Sequence, residues 1–211
     1  MNWTQAILAR KKLIIRLIWV VYIAAFVFFV YSVRSPNFQA YWIPMGRAAG
    51  DTAAVLFCLA VLPGILKRLG ATGGWQQVQV MLMAFRRQLG IGVYWFGVLH
   101  SSWVSNLDKI MAGLPPLPVN AQESLGTISL FLLLPLFLTS NDWMQNKLGT
   151  WWYRLHKLVY LVAWLIFAHV ALLNRFEWVG VLILMTATLT VWSFMVKEKR
   201  EKFSTQSPER A

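Results

Sequence analysis

The stretch Leu148–Leu173, LGTWWYRLHKLVYLVAWLIFAHVALL, is long and apolar enough to cross a bilayer, and it is one of several such runs in the chain. This repetition constrains the fold more than any other feature of the sequence. Hydrocarbon offers no partner for a backbone amide or carbonyl, so successive apolar runs of about 20 residues are restricted to helices packed in a bundle. Composition agrees. Of 211 residues, 58% are hydrophobic and 13% charged, against roughly half and a quarter in soluble domains. The sequence predicts an all-α, polytopic membrane six-helix bundle.

Taken in order, Met1–Lys12 is a basic N-terminal segment, and Leu13–Val33 is the first span, with Arg16 placed to snorkel to the interface. Arg34–Arg47 reads as a loop because of Pro36 and Pro44. The second span is Ala48–Leu66, with Asp51 in its first turn, where a carboxylate suits the helix dipole. Gly70–Phe85 reads as an interfacial connection and Arg86–Val104 as the third span. Ser105–Glu123 contains Leu114-Pro115-Pro116-Leu117-Pro118, which cannot be regular helix. Ser124–Ser140 is the fourth span, kinked at Pro135. The fifth is Leu148–Leu173 and the sixth Val179–Val196. Residues 13–196 thus form one transmembrane domain. The charged segment 197–211 is expected to be a disordered tail. The first apolar run exceeds a signal-peptide core and no small-residue cleavage site follows it, so a cleaved leader is not expected.

Six spans put both termini on one side. Sixteen of the 20 Lys and Arg then fall on that side, leaving Arg34, Arg47, Lys109 and Arg175 opposite. This asymmetry predicts both termini in the cytoplasm. It also accounts for the net charge of +12 without nucleic acid. Most of the 12 Trp, among them Trp42, Trp75, Trp143, Trp151 and Trp152, read as interfacial belt residues. Cys58 is the single cysteine, which excludes an intrachain disulfide and a thiolate metal site.

The three histidines all lie in apolar runs, where an ionisable side chain is costly and points to function. The third and fifth spans run in the same direction. His100 follows Arg87 by thirteen residues, and His169 follows His156 by thirteen, about 20 Å of helix. His100 and His169 therefore share one depth near the outer face, the arrangement that axial ligation of a haem requires. Gly90 and Gly97 lie on nearly one face of the third span and would leave room for a flat macrocycle. His156 lies toward the inner face with Arg86, Arg87, Arg154 and Lys157. Thirteen ideal-helix residues leave His156 and His169 about 140° apart around the axis. Arg87 occupies the position that would pair with His156, and an arginine does not ligate iron. The inner site then suits anionic groups: haem propionates, a flavin phosphate, or a quinone near the interface. A buried histidine bonded to a neighbouring helix is the plainer reading of each position. Three histidines also admit zinc, though without cysteine.

RRQLGIGVYWFGVLH (Arg86–His100) and SLGTISLFLLLPLFLTSNDWMQNKLGTWWYRLHKLVYLVAWLIFAH (Ser124–His169) resemble the MsrQ family. These are haem-binding membrane subunits of the bacterial protein-methionine-sulfoxide reductase system, within the ferric-reductase-like transmembrane superfamily. The pieces LG-x-x-S, TS-x-x-x-MQ-x-KLG, LH-x-x-x-Y and the final H match in order and spacing, with a weaker likeness over Gly46–Pro63. The resemblance implies a haem b electron-transfer subunit in the bacterial inner membrane, not the catalytic subunit, with His100, His156 and His169 at the family's histidine positions. It implies electrons taken from the cytoplasmic side, through a flavin reductase, or from the quinone pool. They would pass to a periplasmic molybdopterin-containing subunit that repairs oxidised methionine, and flavin mononucleotide (FMN) is a further implied cofactor. Larger superfamily members carry a second third-span histidine where Arg86 and Arg87 stand here, and a fused flavin and nicotinamide domain for which this chain has no room. Two rivals stay open: a ferric-reductase-like conduit serving another acceptor, and a non-redox transporter or scaffold.

Overall fold

The computed structural model describes residues 3–173, 181–188 and 190–191, and among them the regular structure is helical. The helices are α1 (Trp3–Ala9), α2 (Lys11–Arg34), α3 (Phe38–Arg68), α4 (Gly73–Ser101), α5 (Leu107–Met111), α6 (Ala121–Leu138), α7 (Asp142–Leu148), α8 (Thr150–Leu155) and α9 (Leu158–Leu172). A π-helical turn, Ser102–Asn106, joins α4 to α5. Residues 181–188 are also helical. The expected sixth span, Val179–Val196, lies partly outside the described residues, as do the tail at 197–211 and Arg175.

Among the described residues, four segments are long and apolar enough to cross a membrane: Lys11–Arg34, Ala40–Arg68, Ala121–Leu138 and Thr150–Leu172. The expected third span, Arg86–Val104, is the second half of α4 and the start of the π-helical turn, and α4 carries a polar first part. Boundaries shift in three places. The predicted loop Arg34–Arg47 contracts to three residues because α3 runs through Pro44. Proline removes one N–H and leaves a carbonyl for neighbours to satisfy, which helices in membranes tolerate. Asp51 therefore sits well inside α3, not in a first turn. The predicted connection Gly70–Phe85 is mostly the first part of α4. The predicted proline-rich loop Ser105–Glu123 is helical up to Met111.

Short polar signals set the remaining ends. Asn120 and Asn141 cap α6 and α7, their side-chain oxygens accepting from Glu123 N and Met144 N at 2.8 Å each. Gly149 ends α7 with φ +51°, a conformation that a side chain disfavours; this is the glycine of the KLG motif. The fifth apolar run is not one straight helix. At His156 and Lys157 the hydrogen bonding tightens, with Lys157 N bonding Arg154 O and Tyr160 N bonding Lys157 O. Tighter turns advance more per residue than an α-helix, so the angle expected for an ideal helix between His156 and His169 does not hold.

Helix α3 lies along α4, α6 along α9, and α4 also meets α6. The core between them is Phe57, Val61, Ile65, Val93, Leu133, Leu136, Val162, Ala163 and Leu182. Helix α2 is peripheral. Leu13, Leu17, Val20, Ile23 and Val27 stay exposed, as a lipid-facing surface requires. Its attachment is polar and aromatic: Tyr22 Oη donates to Gln88 O at 2.9 Å, and Trp95 Nε1 donates to Tyr22 O at 3.0 Å. Tyr22→Phe is expected to cost about 0.6 kcal/mol, the usual worth of one interhelical hydrogen bond in a membrane, measured by denaturant unfolding in detergent.

Candidate functional site

Helices α3, α4, α6 and α9 enclose a cavity of about 790 Å³, within the range of roughly 300–1,000 Å³ that holds cofactor-sized molecules. Phe57, Val93, Leu133 and Ile166 make part of it apolar, and Arg47, Asp51, Ser101, Ser105, Gln122 and Glu123 supply polar groups. His100 from α4 and His169 from α9 both line it. Their ring centres are 6.2 Å apart, with the planes at 82°.

Each imidazole is held from behind. His100 Nδ1 bonds Gly46 O of α3 at 2.7 Å, and His169 Nδ1 bonds Gln122 O of α6 at 2.9 Å. A carbonyl only accepts, so Nδ1 carries the proton and the lone pair is left on Nε2. Backbone orientation of this kind is characteristic of metal-bound histidine. Two imidazoles on opposite sides of one metal, each nitrogen about 2 Å from it, place their ring centres about 6 Å apart. The observed separation fits that requirement. No group of three or more His, Cys, Asp or Glu able to hold a metal occurs among the described residues. His100 and His169 could together hold a haem iron between them.

Glycines make the close approach feasible. A Cβ on Gly50 would lie 2.8 Å from His100 Nδ1, and one on Gly126 would lie 3.1 Å from two atoms of the His169 ring. Gly46 meets Trp103 and Val104 of the π-turn so closely that a side chain there would collide with Val104. That turn, immediately after His100, reseats the chain so that Trp103 is buried, its Nε1 donating to Ser32 Oγ at 3.1 Å. Of the two glycines expected to make room, Gly97 lines the cavity. Gly90 does not line it, and a Cβ there would meet nothing within 4 Å. Trp42, expected in an interfacial belt, also lines the cavity.

His156 stands apart from this pair. It stacks on Trp152, ring centres 3.8 Å apart, and its Nδ1 bonds Trp152 O at 3.0 Å. The arginine facing it is Arg86, which interacts electrostatically with His156, Tyr160 and Arg68. Arg87 turns away and pairs with Asp142 at the start of α7, Nη1 to Oδ2 being 3.0 Å. Of the two arginines expected near His156, Arg86 is the one that interacts with it. Arg154 lies over the Trp151 ring at 4.9 Å, and Lys157 is exposed in the turn between α8 and α9. Arg68 and Tyr160, joined by a hydrogen bond, complete this second cluster and were not anticipated.

Hydrogen bonding to Arg87, reinforced by its charge, holds the Asp142 carboxyl below the usual carboxylate range. A depressed carboxyl stabilises the fold above its unfolded pKa and loses that contribution as pH falls through the folded one. Asp142→Asn is expected to flatten the acid side of the stability profile, below about pH 4. The effect is small because the pair is exposed. Thermal unfolding across a pH series measures it.

Residues 45–168, more than half of the chain, match the family of the ferric reductase like transmembrane component, and the chain belongs to that family of multi-pass membrane proteins. Within it the chain is MsrQ-like. The protein-methionine-sulfoxide reductase heme-binding subunits MsrQ of Brucella ovis, Brucella canis and Brucella suis are each 38% identical to it over 85 residues. That aligned stretch is 39% of this chain and 39% of each relative, so the match spans about two fifths of the relatives' length. No solved structure matches the chain.

Proposed function

We propose that this chain is the haem b membrane electron-transfer subunit of a methionine-sulfoxide reductase system in the bacterial inner membrane. It takes electrons from the cytoplasmic side or the quinone pool and delivers them to a periplasmic catalytic subunit. The observation that carries this reading is the His100–His169 pair, two imidazoles with bare Nε2 atoms at a separation suited to one metal between them. Bound between them, haem supplies reversible one-electron transfer at the iron. The chain's residues do the rest. Gly46 O and Gln122 O fix the tautomer and raise the basicity of both rings. Gly50, Gly97 and Gly126 keep the slot open, and Phe57, Val93, Leu133 and Ile166 keep it dry. Arg47 lies among the polar residues of the cavity, with a charge that suits the acidic edge of the macrocycle.

The cluster of Arg68, Arg86, His156 and Tyr160 is the electron-accepting site on the cytoplasmic side, where its charge suits an anionic or quinone-like donor. This assignment goes with a six-span topology with both termini inside, supported by the bias of Lys and Arg. The test uses the purified, detergent-solubilised chain. A pyridine haemochrome assay is expected to return b-type haem. The dithionite-reduced protein is expected to be reoxidised by an oxidised methionine-sulfoxide reductase catalytic subunit. Colourless protein overturns the haem reading. Red protein that the catalytic subunit does not reoxidise overturns only the partner.

A further inference from the structure

The two histidines come from different helices and are oriented by carbonyls on two others, so their separation depends on how these helices are fastened together. At the His100 end one polar cluster does this. Lys109 of α5 follows His100 along the α4–π–α5 rod. Its Nζ donates to Ser105 Oγ at 2.9 Å, to Leu117 O at 2.8 Å and to Glu123 Oε2. Glu123 of α6 stands next to Gln122, whose carbonyl holds His169. Its Oε2 also accepts from Val119 N at 3.0 Å, and its own N is capped by Asn120. The ion pair is mostly buried, with the Lys109 and Glu123 side chains 12% and 23% exposed. Ser105 and Glu123 are also cavity walls. One clasp thus ties the rod that carries His100 to the turn that holds His169, and pins the proline-rich loop beside the cavity.

We propose that the Lys109–Glu123 clasp is a latch that sets the separation of the two imidazoles and retains the macrocycle between them. It rests on the haem reading above. Removing Lys109 takes a donor from Glu123, Leu117 O and Ser105 Oγ at once, and the proline-rich loop and α6 lose their shared tie to α5. Loss of that tie frees the first turn of α6, and with it the carbonyl that aims His169. The latch is a positioning device and not a ligand set, and its loss should show in coordination before it shows in folding.

The experiment uses the full chain, haem-loaded in detergent, as wild type, Lys109→Met, Lys109→Arg and Glu123→Gln, with Asp142→Asn as a control at a second ion pair. Haem transfer to excess apomyoglobin gives the release rate, and absorption and electron paramagnetic resonance give the low-spin fraction. Lys109→Met is expected to release haem about tenfold faster or more, in line with the effect of removing other outer-shell supports, and to show a high-spin fraction. Glu123→Gln should follow in the same direction, Lys109→Arg should recover most of the retention, and Asp142→Asn should match wild type. Wild-type release and an unchanged low-spin spectrum in Lys109→Met and Glu123→Gln overturn the latch. So does a lowered unfolding temperature with no change in either readout, which marks a merely structural pair. Wild-type protein without haem instead overturns the functional reading, and the latch with it.

Discussion

His169→Asn is expected to yield a folded protein that has lost the low-spin b-type spectrum. Asparagine is the informative replacement because its amide N–H₂ lies close to the position of Nδ1. The bond to Gln122 O therefore survives while the Nε2 lone pair is gone. Alanine would also strand that carbonyl, at a cost of about 1–3 kcal/mol where it is buried, and would mix folding with ligation. Removing an outer-shell support of a ligating histidine commonly costs about 10–100-fold in affinity. Losing the ligand itself should reach the upper end, about 100-fold, enough to strip haem during purification. His100→Asn should behave alike, since Gly46 O plays the same part. His156→Asn should keep the outer low-spin signal, because His156 stacks on Trp152 away from the cavity. Full haem content and an unchanged spectrum in either His100→Asn or His169→Asn would remove that residue from the ligand pair.

Much of this arrangement could be read from the chain alone, and the misses have physical causes. Depth in a membrane follows residue count along a helix, so His100 and His169 were legible as level, and their rings lie 6.2 Å apart. Rotation about a helix axis is harder to read. Adjacent residues differ by about 100°, so counting could not decide which of Arg86 and Arg87 turns toward His156 and which toward Asp142. The carbonyls of Gly46 and Gln122 left no trace because every residue carries a carbonyl. The glycines did leave one. Gly46 and Gly50 stand four apart, hence on one face of α3, a spacing that often marks close helix packing. Gly90 and Gly97 also share a face, but only Gly97 lines the cavity. Pro44 read as the end of a loop, which hid the first turns of α3 and made Asp51 look like a helix start. The break at His156 and Lys157 falls in a stretch, Thr150–Leu173, with neither Gly nor Pro to announce it.

A single methyl group should separate the glycines that serve the site from those that do not. In Gly50→Ala the new Cβ would lie 2.8 Å from His100 Nδ1, and His100 is already anchored to Gly46 O one turn away on the same helix. The ring cannot retreat without breaking that bond, so it must swing into the cavity or α3 must move off α4. Overpacking of this kind costs about 1–3 kcal/mol, and disturbing the support of His100 should weaken haem binding about tenfold or more. Gly126→Ala is gentler, because its Cβ would sit 3.1 Å from the His169 ring and a shift of a few tenths of an ångström relieves it. Its main effect should be a changed ring orientation, visible in the low-spin electron paramagnetic resonance signal. Gly64→Ala, in the same helix as Gly50 but with nothing within 4 Å of a new Cβ, should instead stabilise the protein by about 0.5–1 kcal/mol, the ordinary gain of Ala over Gly inside a helix. The test is to measure haem release and unfolding for all three. If Gly50→Ala binds haem as wild type does while Gly64→Ala is equally benign, the backbone of α3 is not what holds His100 in register, and the cavity tolerates more than its packing implies.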